Sequence, residues 1–140
     1  MIVKPKKALK GGMHLASGTT KALTTSYDKI TGTWTDGIIS DFSIVNSELV
    51  CNKGGTFLFN GHSSLSASKA GKVEYALYVN DVIISGSDTP QDFASSAKNG
   101  SIGITSLIQL NTNDRVAVYA KADDTMTITI ALLKITFWGE

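Results

Sequence analysis

The side chains that could carry chemistry in this chain are few. There is one cysteine, Cys51, and there are two histidines, His14 and His62. A Ser or Cys nucleophile needs a base within hydrogen-bond reach, and these two imidazoles are the bases on offer. His14 stands in a Lys- and Gly-rich opening segment. His62 sits among Asn60, Ser63 and Ser64, on the opposite strand parity to Phe57 and Phe59. That parity turns His62 toward solvent or an interface. A plain solvent-facing or interface histidine is the favoured reading, and a pH switch or metal ligand the lesser, functional one. Cys51, in a strand context, is expected to be a small core hydrophobe. Asp81, Asp88, Asp92, Asp114, Asp123 and Asp124 fall in turn-like sequence, where Asp serves the backbone. Asp123-Asp124 with a loop carbonyl offers oxygens for calcium, but without EF-hand spacing. No CxxC, P-loop, GxGxxG or GxSxG occurs, so no known catalytic motif organises these groups. The single arginine, Arg115, and the lack of basic-aromatic interleaving speak against specific nucleic-acid binding. The expectation is binding without catalysis, cofactor or metal.

The elements that position these groups are strands. Val73, Tyr75, Leu77 and Val79 alternate with Lys72, Glu74, Ala76 and Tyr78. Val116, Val118, Ala120 and Ala122 alternate with Arg115, Ala117, Tyr119 and Lys121. Phe57 and Phe59 alternate with Thr56, Leu58 and Asn60. Such period-two patterns put one face on a core. Asn52 to Gly55, Asn80-Asp81, Asn111 to Asp114 and Asp123-Asp124 read as turns between them, Asn80-Asp81 as a tight hairpin. Ser85 to Gly100, with Pro90, reads as a long exposed loop with room for one helical turn. About eight strands at sandwich spacing are predicted, and no amphipathic helix. In the last strand the apolar set Met126, Ile128, Ile130, Leu132 changes parity to Leu133, Ile135, Phe137. The change implies either a bulge or a strand covered on both faces, the second cover being another subunit.

The chain has 140 residues, enough for one domain with its own core. Charge is unevenly placed. Of thirteen Lys and Arg, four (Lys4, Lys6, Lys7 and Lys10) lie in the first ten residues without an acid, leaving nine against twelve Asp and Glu over residues 11–140. Residues 1–20 are therefore expected to form an extended basic arm, with Ile2, Val3, Lys4, Lys6, Lys7, Leu9 and Lys10 anchoring it on an acidic partner surface. Residues 21–140 form the head. The opening residues lack the apolar stretch of a secretory signal, and no run reaches the length of a membrane span. Synthesis in a cytoplasm and no membrane partner are the expectation.

Four segments together resemble a known family: "NKGGTFLFNGHSSLSAS" (52–68), "VEYALYVNDVII" (73–84), "SLIQLNTNDRVAVYAKADD" (106–124) and "MTITIALLKITFWG" (126–139). Gly55 and Phe57, Val79 and Asn80, Leu110 with Asn113, Asp114 and Val116, and the ending Ile135, Phe137, Trp138 resemble landmarks of the C1q/TNF-like trimeric jelly roll. Asn113 stands where that family usually has Gly, a position of positive φ that Asn tolerates. The resemblance implies an all-β, antiparallel jelly-roll sandwich that assembles as a homotrimer. It also implies an interface that includes Tyr78, Tyr119, Leu133, Ile135 and Phe137. A short head of this kind behind a basic arm is similar to capsid decoration, cement and fibre proteins of tailed bacteriophages. The implied function is a virion structural protein held by its arm on the major capsid protein or another virion protein. The alternative is a fibre tip whose apical loops hold a host glycan or surface receptor.

Overall fold

The computed structural model describes residues 8–37, 41–95 and 99–139. Among them every regular element is a strand, numbered here in chain order, and every pairing is antiparallel. One sheet, sheet A, runs in space β11 (Asn99–Leu110), β7 (Gly55–Ala67), β13 (Met126–Gly139), β1 (Ala8–Leu15), β4 (Trp34–Asp36), with β2 (Thr19–Leu23) also on β13. The other, sheet B, runs β10 (Thr89–Phe93), β8 (Gly71–Val79), β12 (Arg115–Ala122), β6 (Glu48–Cys51), β5 (Phe42–Val45). Beside this path β3 (Asp28–Lys29) joins β12 and β9 (Val82–Ile83) joins β8. The two sheets enclose one apolar core, as an all-β jelly-roll sandwich requires.

The core follows the alternation in the sequence. Phe57, Phe59 and Phe137 of sheet A meet Phe42 of sheet B, with Phe42 ring centroids 4.9 Å from Phe57 and 4.4 Å from Phe137, edge to face. That geometry favours aromatic pairs beyond their burial. Cys51 is buried, as expected of a small hydrophobe, and burial pushes its thiol pKa up. Asn80 (φ +51°) and Asp81 (φ +67°) form the two-residue hairpin turn that needs left-handed backbone at both positions. Asn113 adopts φ +76°, the conformation its place required.

The parity change in β13 is a bulge. Ile130 pairs with Leu65 but Leu132 pairs with Ser64, so Ala131 is the extra residue. Ile130 and Leu133 therefore both face the core, and Leu132, expected inside, is exposed. Leu133, Ile135 and Phe137 are 0, 2 and 0% exposed in the single subunit. This corrects their assignment to a subunit interface: the bulge returns them to their own core, so β13 needs no second subunit to cover them.

The arm also changes its meaning. Residues 8–15 form β1, hydrogen-bonded between β13 and β4, with Met13 and Leu15 in the core. The head therefore begins at residue 8, not 21. Gly11 and Gly12 lie within β1. A Cβ on Gly12 would stand 2.7 Å from the Ile135 carbonyl oxygen, so glycine is what lets β1 lie against β13. Leu9 pairs through its backbone with Trp138, and Lys10, at a bulge, reaches Asp41 at 3.4 Å. The anchoring residues Ile2, Val3, Lys4, Lys6 and Lys7 lie outside the described residues. The expected loop of residues 85–100 holds edge strand β10 and the start of β11, with no helical turn among the described residues. Phe93 and Ser87 are buried, Pro90 takes an edge-strand position, and Asp92 lies in β10 rather than a turn.

A candidate assembly face and its basic row

Sheet A turns one face to the core and the other to solvent. Cross-strand register arranges the outward side chains in rows. In the first, Leu107 on β11 stands opposite Leu58 on β7, which stands opposite Trp138 on β13. Leu107 is 65% and Trp138 38% exposed. Paired residues on one sheet face lie about 4.5–5.5 Å apart at Cβ, so these three form one continuous apolar strip. The second row, Thr105, Asn60, Thr136 and Gly12, is polar and neutral. Thr105 Oγ1 donates to Asn60 Oδ1 at 3.3 Å, and Thr136 Oγ1 donates to the Asn60 carbonyl at 3.3 Å.

The third row brings together the two candidate histidines. His62 on β7 and His14 on β1 both stand directly opposite Lys134 on β13, with Gly103 and Thr35 at the ends of the row. All three basic side chains are exposed in the subunit. Shallow hollows flank Lys134. One, about 330 Å³, borders His14, Gly12 and Gly37, and the other, about 210 Å³, borders His62 and Asn60. Lys134 makes no ion pair among the described residues. The strands of sheet A contain one carboxylate, Asp36, which is opposite the buried Met13 and so lies on the other parity. Among the described residues, the outward face of sheet A is thus apolar at one end, basic at its middle and without an acid.

Tyr78 and Tyr119, expected at an interface with Leu133, Ile135 and Phe137, lie on the far side of the molecule. Their strands, β8 and β12, belong to sheet B, and the two rings stack at 3.8 Å with 7° between planes. Tyr27 packs edge-on at 5.7 Å from Tyr78 and donates its hydroxyl to Glu74 at 3.1 Å, with Lys121 above its ring. Tyr119 donates to Asp81 at 3.0 Å. Burial, then Asp81, pushes the Tyr119 pKa up to about 12. Arg115 donates to both Glu48 oxygens at 3.1 and 3.2 Å and to Asp81 at 3.0 Å. Arg115 first, then Tyr119, holds the Asp81 carboxyl below its usual range. Arg115, Glu48, Asp81, Glu74 and Lys121 are thus paired within the subunit, whereas Lys134 of sheet A is not.

Catalytic geometry does not emerge from these placements. His14 and His62 face a lysine, and Cys51 is enclosed in the core. Among the described residues, no three His, Cys, Asp or Glu side chains converge on a metal position. Asp123 accepts from the Lys72 backbone N–H at 3.0 Å and Asp124 from Lys69 at 2.9 Å, so this pair serves turn and ion-pair roles. Sequence reasoning missed the Leu58, Leu107, Trp138 strip. Its signal was an apolar residue on the polar parity of each of three strands, visible at Leu58 between Phe57 and Phe59.

No protein-family model matches the sequence, and no curated protein sequence does. Solved structures match the fold over nearly its whole length. A TNF protein, Eiger, from S. frugiperda superposes with a TM-score of 0.69 at 12% identity, over 94% of this chain and 92% of that one. Murine APRIL gives 0.66 at 10% identity, over 93% and 98%. The globular domain of zebrafish complement 1qA gives 0.60 at 14% identity, over 91% and 95%. The chain therefore has the C1q/TNF-like jelly-roll fold.

Proposed function

We propose that this chain is a non-enzymatic, homotrimeric head that assembles through the outward face of sheet A and decorates a bacteriophage virion. The observation that carries the assembly is the exposed strip Leu107, Leu58, Trp138 on an uncovered sheet. Burying such a strip contributes roughly 25 cal/mol per Å² of apolar surface, and exposed contiguous apolar surface marks interaction sites. The trimeric habit of jelly rolls of this kind supports a second and third copy as the occupants. Ala8 pairs with Gly139, so the segment carrying Lys4, Lys6 and Lys7 joins the head at the end that holds Trp138. Three such basic segments leaving one end would act at high effective concentration on an acidic virion surface such as that of a capsid protein.

A receptor-binding tip is the second reading. A hollow of about 210 Å³ bordered by the charged residues Lys72, Glu74, Lys121 and Asp123 lies at the end away from Gly139 and would suit a host glycan. Sedimentation of the full chain at micromolar concentration and neutral pH tests the assembly, with a trimer expected. A folded monomer overturns it. Deleting residues 2–7 should leave the trimer intact and abolish co-sedimentation with virions. Retained co-sedimentation removes the anchoring role, and binding of the isolated heads to host cells supports the second reading instead.

A further inference from the structure

On a face that assembly would bury, His14, Lys134 and His62 form one row with no carboxylate. With both imidazoles neutral that row carries one positive charge, Lys134; with both protonated it carries three. Like charges directly opposite each other across a strand pair are destabilising, and here each imidazolium would stand opposite the same ammonium. In the separate subunit all three side chains are exposed and water solvates them. In an assembly that hydration is lost, and a buried charge without a partner is strongly unfavourable.

The neighbours offer no compensation. From β11 the residue facing His62 is Gly103, and from β4 the residue facing His14 is Thr35. Asp36, the carboxylate of these strands, has the other parity. Lys134 can keep its ammonium wet by leaning along its flexible stem into the flanking hollows. The shorter imidazoles border the same hollows but cannot draw their charge away from the row.

We propose that assembly through this face is linked to protons: His14 and His62 permit it while neutral and drive the subunits apart once protonated. The inference rests on the proposed assembly through sheet A. Its sign follows from linkage. Separate subunits bind more protons than the assembly, so acid favours separation. Each imidazole barred from protonation lowers the association constant tenfold per pH unit below its own titration. Two per chain in three chains set a ceiling of about a million-fold per pH unit.

The test is sedimentation of the full chain from pH 7.5 to 5.0, with circular dichroism to follow folding. The wild type should be a trimer at pH 7.5 and folded monomers near pH 5. His14→Gln and His62→Gln should each shallow the pH dependence, and together leave a trimer at pH 5. Lys134→Gln should shift dissociation to lower pH. A wild-type trimer that persists unchanged at pH 5, or a double variant that dissociates like the wild type, overturns the proton linkage while leaving assembly standing. A monomer already present at pH 7.5 overturns the assembly itself, and the linkage with it.

Discussion

Ser63 Oγ and Tyr75 Oη meet 3.1 Å apart inside the core, joining sheet A to sheet B by a side-chain hydrogen bond. Ser63 is one of few buried polar residues, and Tyr75 is fully buried. Each hydroxyl exists in that interior because the other satisfies it. Tyr75→Phe strands the Ser63 hydroxyl, and Ser63→Ala strands the phenol. Each should lower unfolding stability by about 1–3 kcal/mol, the cost of an unsatisfied buried group. The double variant should cost clearly less than the sum, because it removes both groups together. Urea unfolding of the four proteins checks this, and simple additivity would mean that the hydroxyls are not coupled.

The tyrosines also set an alkaline limit. Burial pushes the Tyr75 pKa up to about 12, against a weaker opposing effect of Ser63. Tyr119 stands at about 12 as well, through burial and then Asp81. In the unfolded chain a phenol ionises near pH 10. The folded state therefore binds these protons more tightly, and its advantage is complete below pH 10 and lost as pH rises toward 12. Tyrosinate absorbance should thus appear together with loss of β-sheet circular dichroism. Stepwise ionisation near pH 10 in a folded protein would contradict the burial of these rings.

β1 gives a direct test of where the head begins. Gly12→Val places a side chain against the Ile135 carbonyl, 2.7 Å from the position of a Cβ. Overpacking that forces backbone apart costs typically 1–3 kcal/mol, so a clear drop in melting temperature is expected. Deleting residues 2–15 removes a strand from the interior of sheet A and should leave an insoluble or unfolded chain. Deleting residues 2–7 should leave a folded one. If the longer deletion folded as well, residues 8–15 would be an arm after all.

What the sequence could and could not reveal divides along physical lines. Alternation exposes faces, so Phe57, Phe59, Tyr75 and Val118 were legible as core. Turn chemistry is local, so Asn80-Asp81 and Asn113 were legible as left-handed positions. The bulge at Ala131 was half legible: the parity change showed, but not whether it shifted the strand or exposed a second face. Tyr78 and Tyr119 were readable as outward residues, yet which sheet they belong to is a matter of strand order, which no local pattern encodes. The basic row was invisible for the same reason. His14, His62 and Lys134 lie far apart along the chain and meet only because β13 lies between β1 and β7.

The apolar strip makes the last prediction, one that separates folding from assembly. Leu107 is mostly exposed in the subunit, and its neighbours on the strip are Leu58 and, beyond it, Trp138. Leu107→Asp therefore removes little from the subunit core, and surface substitutions of this kind usually change subunit stability by no more than about 0.5 kcal/mol. In an assembly the same change buries a carboxylate against leucine and tryptophan, which apolar surroundings resist. Subunits that assemble when folded and not when unfolded are stabilised by mass action, so their melting temperature rises with protein concentration. At neutral pH the wild type should show that rise. Leu107→Asp should melt at one temperature at all concentrations, close to the wild-type value in the dilute limit. A wild type whose melting temperature ignores concentration would show that the strip stays open to water. A Leu107→Asp protein that melts far below the dilute wild type would show instead that the strip belongs to the subunit's own core.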